Sequence, residues 1–228
     1  MNFRRIVKVS ICLAMLSVST GLWAQNESRW QNVDINQQNR EPRRASFFAY
    51  ESQDKAQGFD KKESANYLSM EGMWKFNFVK DHNKRPANFF AVNYDDSKWK
   101  DFPVPGLFEL NGYGDATYKN VGYAWATQFD PNPPYISETN NYTGSYRRTF
   151  DLPTDWKGKD VYFHVGSATS NLTLWVNGKY VGYSEDSKVA AEFNISKYLK
   201  PGKNLIAMQV MRWCDGSYFE DQDFWRFT

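Results

Sequence analysis

The stretch LTLWVNGKYVGY, residues 172–183, sets two short apolar runs on either side of Asn177 and Gly178. Asn-Gly readily adopts the positive φ angles of a type I′ turn, whose twist matches that of two antiparallel strands. The stretch therefore predicts a β-hairpin with strands at 172–176 and 179–183.

Strand-like patterns recur on both sides of this hairpin. In WKFNF, residues 74–78, every second residue is aromatic, which is the period of a strand with one buried face. Further strands are predicted at 145–150, 161–165 and 205–211, and one helical turn at 195–199. Short strands separated by turns, with no long amphipathic helix between them, predict an all-β fold, an antiparallel β-sandwich.

The segment 103–142 has few alternating runs and many Gly, Pro and Asn residues. A loop of this length in a compact domain is usually functional. We therefore expect it to contribute to a binding site.

The N-terminal residues have the pattern of a secretory signal. Three basic residues precede the apolar run 9–16, and Leu-Trp-Ala follows at 22–24. This order predicts a signal peptide over 1–24, cleaved after Ala24. The polar segment 25–66 is then expected to be an extended leader without a core of its own.

Composition limits the classes of partner and the compartment. The apolar run is shorter than the roughly 20 residues of a membrane-spanning helix, so we expect a periplasmic or secreted protein without membrane insertion. Beyond residue 24, 25 Lys and Arg stand against 26 Asp and Glu, which does not indicate a nucleic-acid partner. Cys214 is the only cysteine of that mature chain, so no intramolecular disulfide is expected.

The run DGSYFEDQDFWR, residues 215–226, interleaves four carboxylates with aromatic rings. Carboxylates accept hydrogen bonds from sugar hydroxyls or hold a cation, and flat rings cover the apolar face of a pyranose. The run therefore predicts a sugar site. Some of its members have a common alternative role, as turn caps, solvated acids or core rings: Asp215, Glu220, Asp221, Tyr218 and Trp225.

The two histidines do not indicate a zinc site. His82 and His164 lie far apart and lack Cys or acidic partners at ligand spacing. His164 falls in the predicted strand 161–165, where we expect it to be packed.

Several motifs occur together in the order of one enzyme family. The motifs NREP at 39–42, YKNV at 118–121, GYSEDS at 182–187 and the run 212–226 resemble the N-terminal sugar-binding domain of glycoside hydrolase family 2 β-galactosidases. The motifs DDSKW, VP and GYG, at 95–99, 104–105 and 112–114, are similar to an element that this domain shares with β-glucuronidases and β-mannosidases. The resemblance implies a jelly-roll, galactose-binding-domain-like sandwich over 67–228.

The resemblance also implies roles for two residues. Asn120 matches an asparagine that binds galactose hydroxyls, and an amide suits this role because it both donates and accepts; by itself it would equally be a turn residue. Asp223 matches an aspartate that contacts the sugar and a monovalent cation, sodium. A divalent cation, magnesium or calcium, is implied for the full enzyme. Ala124 follows Tyr123 where the family has proline, which leaves the path of this loop open.

The chemistry of this family needs more chain than is present. Retaining glycosidases use two carboxyl groups about 5 Å apart, which this family supplies as glutamates from a barrel of roughly 250 residues. We therefore expect the 228 residues to be the N-terminal portion of a β-galactosidase, incomplete at the C-terminus and inactive alone, with a β-galactoside or oligosaccharide and the remaining polypeptide as partners. The alternatives are a non-catalytic exported carbohydrate-binding module and the corresponding domain of a β-glucuronidase or β-mannosidase.

Overall fold

The structure is a computed structural model that describes residues 29–116 and 122–220. Within these residues the longest helix is α1 (Gln53–Gly58), and the remaining helical segments are short 3-10 turns: Arg29–Gln31, Lys61–Glu63, His82–Lys84, Glu109–Asn111, Ala124–Thr127, Thr154–Trp156, Ser196–Tyr198 and Asp215–Tyr218. The described strands are β1 (Gln37–Gln38), β2 (Gly72–Val79), β3 (Lys100–Val104), β4 (Thr143–Leu152), β5 (Tyr162–Val165), β6 (Asn171–Val176), β7 (Lys179–Glu185), β8 (Ala191–Asn194) and β9 (Gly202–Met211).

The strands form two antiparallel sheets. The larger has the order β1-β7-β6-β9-β4-β2-β3, and the smaller pairs β5 with β8. Over the described ranges, no helix has the length and apolar character needed to cross a membrane.

One apolar core lies between the two sheets. Leu172 and Leu174 of β6, Ile206 of β9 and Phe193 of β8 belong to a single cluster of buried side chains. Around Phe76 of β2 the core becomes aromatic, with ring centroids as close as 4.4 Å. Two sheets that share a core in this way are consistent with the predicted β-sandwich.

The hairpin predicted from Asn177 and Gly178 is confirmed. Val176 pairs with Lys179, and the two turn residues have φ angles of 50° and 82°. The Asn177 side chain also accepts a hydrogen bond from the backbone N–H of Leu205 at 2.9 Å. The turn is therefore fastened to β9, a contact that the local pattern does not predict.

The other predicted strands are also present, as β2, β4, β5 and β9, and the predicted helical turn is Ser196–Tyr198. β1, β3 and β8 were not predicted. β3 contains Pro103 and lies at the edge of the large sheet, where a missing backbone N–H is tolerated.

The prediction that His164 is packed is wrong. Its side chain is 49% exposed, and Nδ1 lies 3.0 Å from Oε1 of Glu192 on the paired strand. Successive residues of a strand point to opposite faces, and here Phe163 takes the core face.

The described part of the segment 25–66 runs along both sheets. Gln37 of β1 pairs with Ser184 at the edge of β7, and the backbone N–H of Glu41 donates to the carbonyl of Glu192 in β8 at 2.8 Å. These contacts cover strand edges that would otherwise carry unpaired backbone groups. The predicted signal peptide lies outside the described residues.

Candidate functional site

The residues predicted to bind the sugar fall outside the described part of the chain. Asn120 belongs to 117–121 and Asp223 to 221–228, and neither stretch is described. Their roles in sugar and cation binding therefore stay predictions.

The structure does bring together a buried acidic cluster that the sequence did not predict, formed by Glu185, Cys214 and Asp215. Glu185 ends β7, and the other two residues begin the turn that follows β9. One ligand atom from each lies within 4.8 Å of the others. The residues are 7%, 0% and 3% exposed.

Local hydrogen bonds shape the turn that carries Asp215. The backbone N–H of Cys214 donates to Oγ of Ser217 at 3.1 Å, and the backbone N–H of Ser217 donates back to the Cys214 carbonyl at 2.9 Å. A Cβ on Gly216 would lie 3.2 Å from Oε2 of Glu185. The glycine therefore allows the turn to approach the carboxyl group closely.

The two carboxyl groups of the cluster are both shifted towards their protonated forms. Burial raises the pKa of Glu185 to about 8, and the nearby Asp215 and Glu220 add to this, while the hydrogen bond from the Tyr183 hydroxyl, at 2.6 Å, opposes it. Burial also raises the pKa of Asp215, although hydrogen bonds from Glu185 and from the Gly216 N–H counteract the shift. At neutral pH Glu185 therefore keeps its proton.

Burial also raises the pKa of the Cys214 thiol, and Sγ lies 3.7 Å from the carbonyl oxygen of Ser170. A thiol that stays protonated is neither a nucleophile nor a good metal ligand. Cys214 therefore acts as a small apolar side chain in this cluster.

A fourth polar side chain makes the cluster a candidate binding site for a hard cation. Asn171 of β6 pairs directly with Glu185 of β7. Its amide is 2% exposed, and neither its oxygen nor its nitrogen has a hydrogen-bond partner among the described residues. Magnesium and calcium prefer carboxylate and amide oxygens, so Glu185, Asp215 and Asn171 fit a divalent cation once Glu185 has lost its proton.

The alternative roles of the neighbouring acids can now be assigned. Glu220 caps a turn, because its carboxylate accepts from the backbone N–H of Ser187 at 2.7 Å. Asp215 accepts from a turn N–H but is buried, so its interpretation as a solvated acid is wrong.

Tyr218 is a core ring, which is the alternative role that the sequence analysis gave for it. Its ring is buried against Trp125, with ring centroids 5.1 Å apart. Its hydroxyl donates to the Tyr135 carbonyl at 2.7 Å and accepts from the Asn132 N–H at 3.0 Å. The ring therefore ties the long segment 103–142 to the turn that carries Asp215.

Packing explains Gly144 and also Asp96 of the DDSKW motif. A Cβ on Gly144 would lie 2.7 Å from the rings of Phe76 and Phe108, so only glycine fits there without rearrangement. Asp96 accepts a hydrogen bond from Nε of the buried Arg147 at 2.7 Å. These residues hold the sandwich together and do not require a ligand.

Comparison with known proteins gives a consistent result. The family described as "Glycosyl hydrolases family 2, sugar binding domain" matches residues 67–228. A β-galactosidase of Priestia megaterium is 39% identical over 206 residues, covering 90% of this chain and 20% of its own length. A β-galactosidase of Halalkalibacterium halodurans is 36% identical over 205 residues, covering 89% of this chain and 20% of its own.

The chain thus spans about a fifth of the length of the curated relatives it matches. Among solved structures, a β-glucuronidase of Ruminococcus gnavus aligns with a TM-score of 0.45 and 22% identity, over 63% of this chain and 21% of that one.

Proposed function

Because the chain belongs to the sugar-binding domain family of the family 2 glycosyl hydrolases, we propose that it is the N-terminal part of a β-galactosidase. The full enzyme would hydrolyse terminal non-reducing β-D-galactose residues in β-galactosides with retention of configuration. The observation that carries this proposal is the similarity to proteins named β-galactosidase over about nine tenths of the chain.

Within that enzyme, this portion would bind the galactosyl group. Asn120 would exchange hydrogen bonds with sugar hydroxyls, and Asp223 would accept from a hydroxyl while it holds a sodium ion. Glu185 and Asp215 are poor candidates for the catalytic carboxyl pair, since both are almost completely buried and a retaining pair must reach the anomeric carbon of the substrate.

We assign the proposed divalent cation to Glu185, Asp215 and Asn171. The cation would neutralise two buried carboxylates, and it would join β6 and β7 to the turn Asp215–Tyr218. That turn leads directly to the segment containing Asp223. The cation would thus affect the proposed sugar site by fixing the turn that leads to Asp223. It would not contact the substrate.

The test uses the enzyme that contains this chain together with its C-terminal continuation. We expect Asn120→Ala and Asp223→Ala each to lower kcat/KM for a nitrophenyl β-galactoside by on the order of 10²-fold. The exposed residues Asn93 and Asp54 supply matched alanine controls, which should leave kcat/KM unchanged. Unfolding curves should be the same for all four variants.

Two results would contradict the proposal. Wild-type kinetics for both site variants would remove the assigned sugar-binding roles. Faster turnover of a nitrophenyl β-glucuronide than of the β-galactoside would reject the substrate assignment itself. The 228-residue chain alone should show no turnover of either substrate.

A further inference from the structure

The three proposed cation ligands lie on three separate segments of the chain. Asn171 begins β6, Glu185 ends β7, and Asp215 begins the turn that follows β9. A cation needs all three side chains at one point, so its affinity depends on how firmly these segments are held relative to one another. The contacts that join the segments are therefore part of the binding site.

One serine joins all three segments. The Oγ atom of Ser187 accepts a hydrogen bond from the backbone N–H of Ser170, next to Asn171, at 2.7 Å. The same hydroxyl donates to Oε2 of Glu220 at 2.5 Å, and the backbone N–H of Ser187 donates to Oε1 of Glu220 at 2.7 Å. Because Ser187 lies two residues after Glu185, its bonds connect the end of β7 with the chain on both sides.

Glu220 belongs to the third segment, since it lies just after the turn Asp215–Tyr218. Both oxygens of its carboxylate accept from Ser187. The described side chains whose ligand atoms converge within 4.8 Å of one another include Glu185 and Asp215 but not Glu220. Glu220 therefore lies outside the proposed ligand set and fixes the chain that carries it.

The backbone around Ser187 needs support from other segments. Asp186 and Lys188 have φ angles of 78° and 67°, in the left-handed region that residues other than glycine seldom adopt. The backbone N–H of Lys188 donates to the Ala168 carbonyl at 2.8 Å, which is a second bond from this turn to the chain before β6. The conformation that follows Glu185 is thus maintained by its surroundings.

From these contacts we propose that Ser187 and Glu220 are positioning residues for the divalent cation. They hold Asn171, Glu185 and Asp215 in the arrangement that the cation needs, and they do not bind it themselves. This role rests on the cation site proposed above. Groups that orient metal ligands in this way typically change metal affinity by about 10–100-fold.

The experiment is titration calorimetry of the chain with calcium chloride and, separately, magnesium chloride, after removal of EDTA at pH 8.5. Glu185 is then above its pKa of about 8 and can bind a cation. Ser187→Ala removes the hydroxyl group without changing any charge. We expect it to raise the Kd of the cation on the order of tenfold.

Ser196→Ala is the matched control. Ser196 is half-buried like Ser187, and its Oγ accepts from the backbone N–H of Val161 at 2.8 Å, next to the small sheet. Both variants should lower the Tm of the metal-free protein, because each loses a hydrogen bond to a backbone N–H. Only Ser187→Ala should change the Kd, so a positioning role is distinguished from a merely structural one.

A second pair of variants tests the other end of the contact. Glu220→Gln and Glu220→Ala remove the same charge, but the amide can still accept from the Ser187 N–H and donate to its Oγ. We expect Glu220→Ala to bind the cation more weakly than Glu220→Gln, on the order of tenfold. The difference between the two variants reports the hydrogen bonds, because their net charge is equal.

Three results would overturn the proposal. If the wild type binds neither cation, the cation site is wrong, and the roles of Ser187 and Glu220 are lost with it. If the wild type binds and Ser187→Ala has the same Kd, the positioning role alone is rejected. Equal Kd values for Glu220→Gln and Glu220→Ala would also reject that role, and this comparison decides the question if Ser187→Ala fails to fold.

Discussion

The buried Glu185 should make the stability of this protein fall as the pH rises. The folded-state pKa of about 8 lies above the ordinary value of 4.5, so the folded state holds a proton that the unfolded chain releases. The resulting stabilisation is fully present below pH 4.5 and is lost as the pH rises through 8. At about 1.4 kcal/mol for each pKa unit, the limit is about 5 kcal/mol. Relaxation of the structure and entry of water around the carboxylate reduce this limit. We therefore expect a loss of about 2–4 kcal/mol in the free energy of unfolding.

Glu185→Gln tests this directly. The amide has the same size as the carboxylic acid and can still accept from the Tyr183 hydroxyl and donate to Asp215. We expect the variant to exceed the free energy of unfolding of the wild type by about 1 kcal/mol at pH 5.5, one pH unit above the ordinary pKa, and by about 2–4 kcal/mol at pH 8.5. Glu71→Gln, at an exposed glutamate 3.4 Å from Nζ of Lys62, is the control and should differ little at either pH.

The measurement is urea unfolding at both pH values in the presence of EDTA, with the slope m compared between proteins to confirm that they unfold alike. Stability curves of wild type and Glu185→Gln that stay parallel from pH 5.5 to 8.5 would refute the reasoning. Replacing EDTA by magnesium or calcium at pH 8.5 should restore the stability of the wild type, because a cation binds the ionised carboxylates of the folded state. No such restoration would remove the assigned cation site.

Two further predictions concern single buried positions. Because the pKa of His82 is lowered to about 3, its contribution is present above pH 6.5 and lost as the pH falls. Relative to His82→Gln, the wild type should therefore lose about 2 kcal/mol between pH 6.5 and 5, whereas His164→Gln, at the exposed histidine, should stay parallel to the wild type. Gly182→Ala would place Cβ 2.5 Å from the Gln38 carbonyl and 2.7 Å from the Phe193 ring, so chemical denaturation should show a loss of about 1–3 kcal/mol. In Gly58→Ala the new Cβ meets nothing within 4 Å, so that control should be neutral or slightly stabilising; equal losses in both would contradict the packing argument.

Local patterns were enough to predict much of the fold. Asn177 and Gly178 specify their turn because the φ angles needed are a property of those two residues. The alternation in β2 specifies a strand with one buried face, whatever lies against it. Short or proline-containing strands such as β3 and β8 lack such a pattern and form because neighbouring strands offer them partners.

The candidate cation site could not be predicted from local sequence patterns. The sequence places Glu185 and Asp215 in two separate motifs and Asn171 in neither, and it gives no sign that the two acids are buried. The pairing of β6 with β7 and the turn after β9 bring them together, and burial then changes their proton affinity. Residue type and spacing therefore determined the strands and turns of this protein. Only the tertiary structure determined which polar groups share a water-excluded space, because burial and charge interaction depend on distances between residues far apart in the chain.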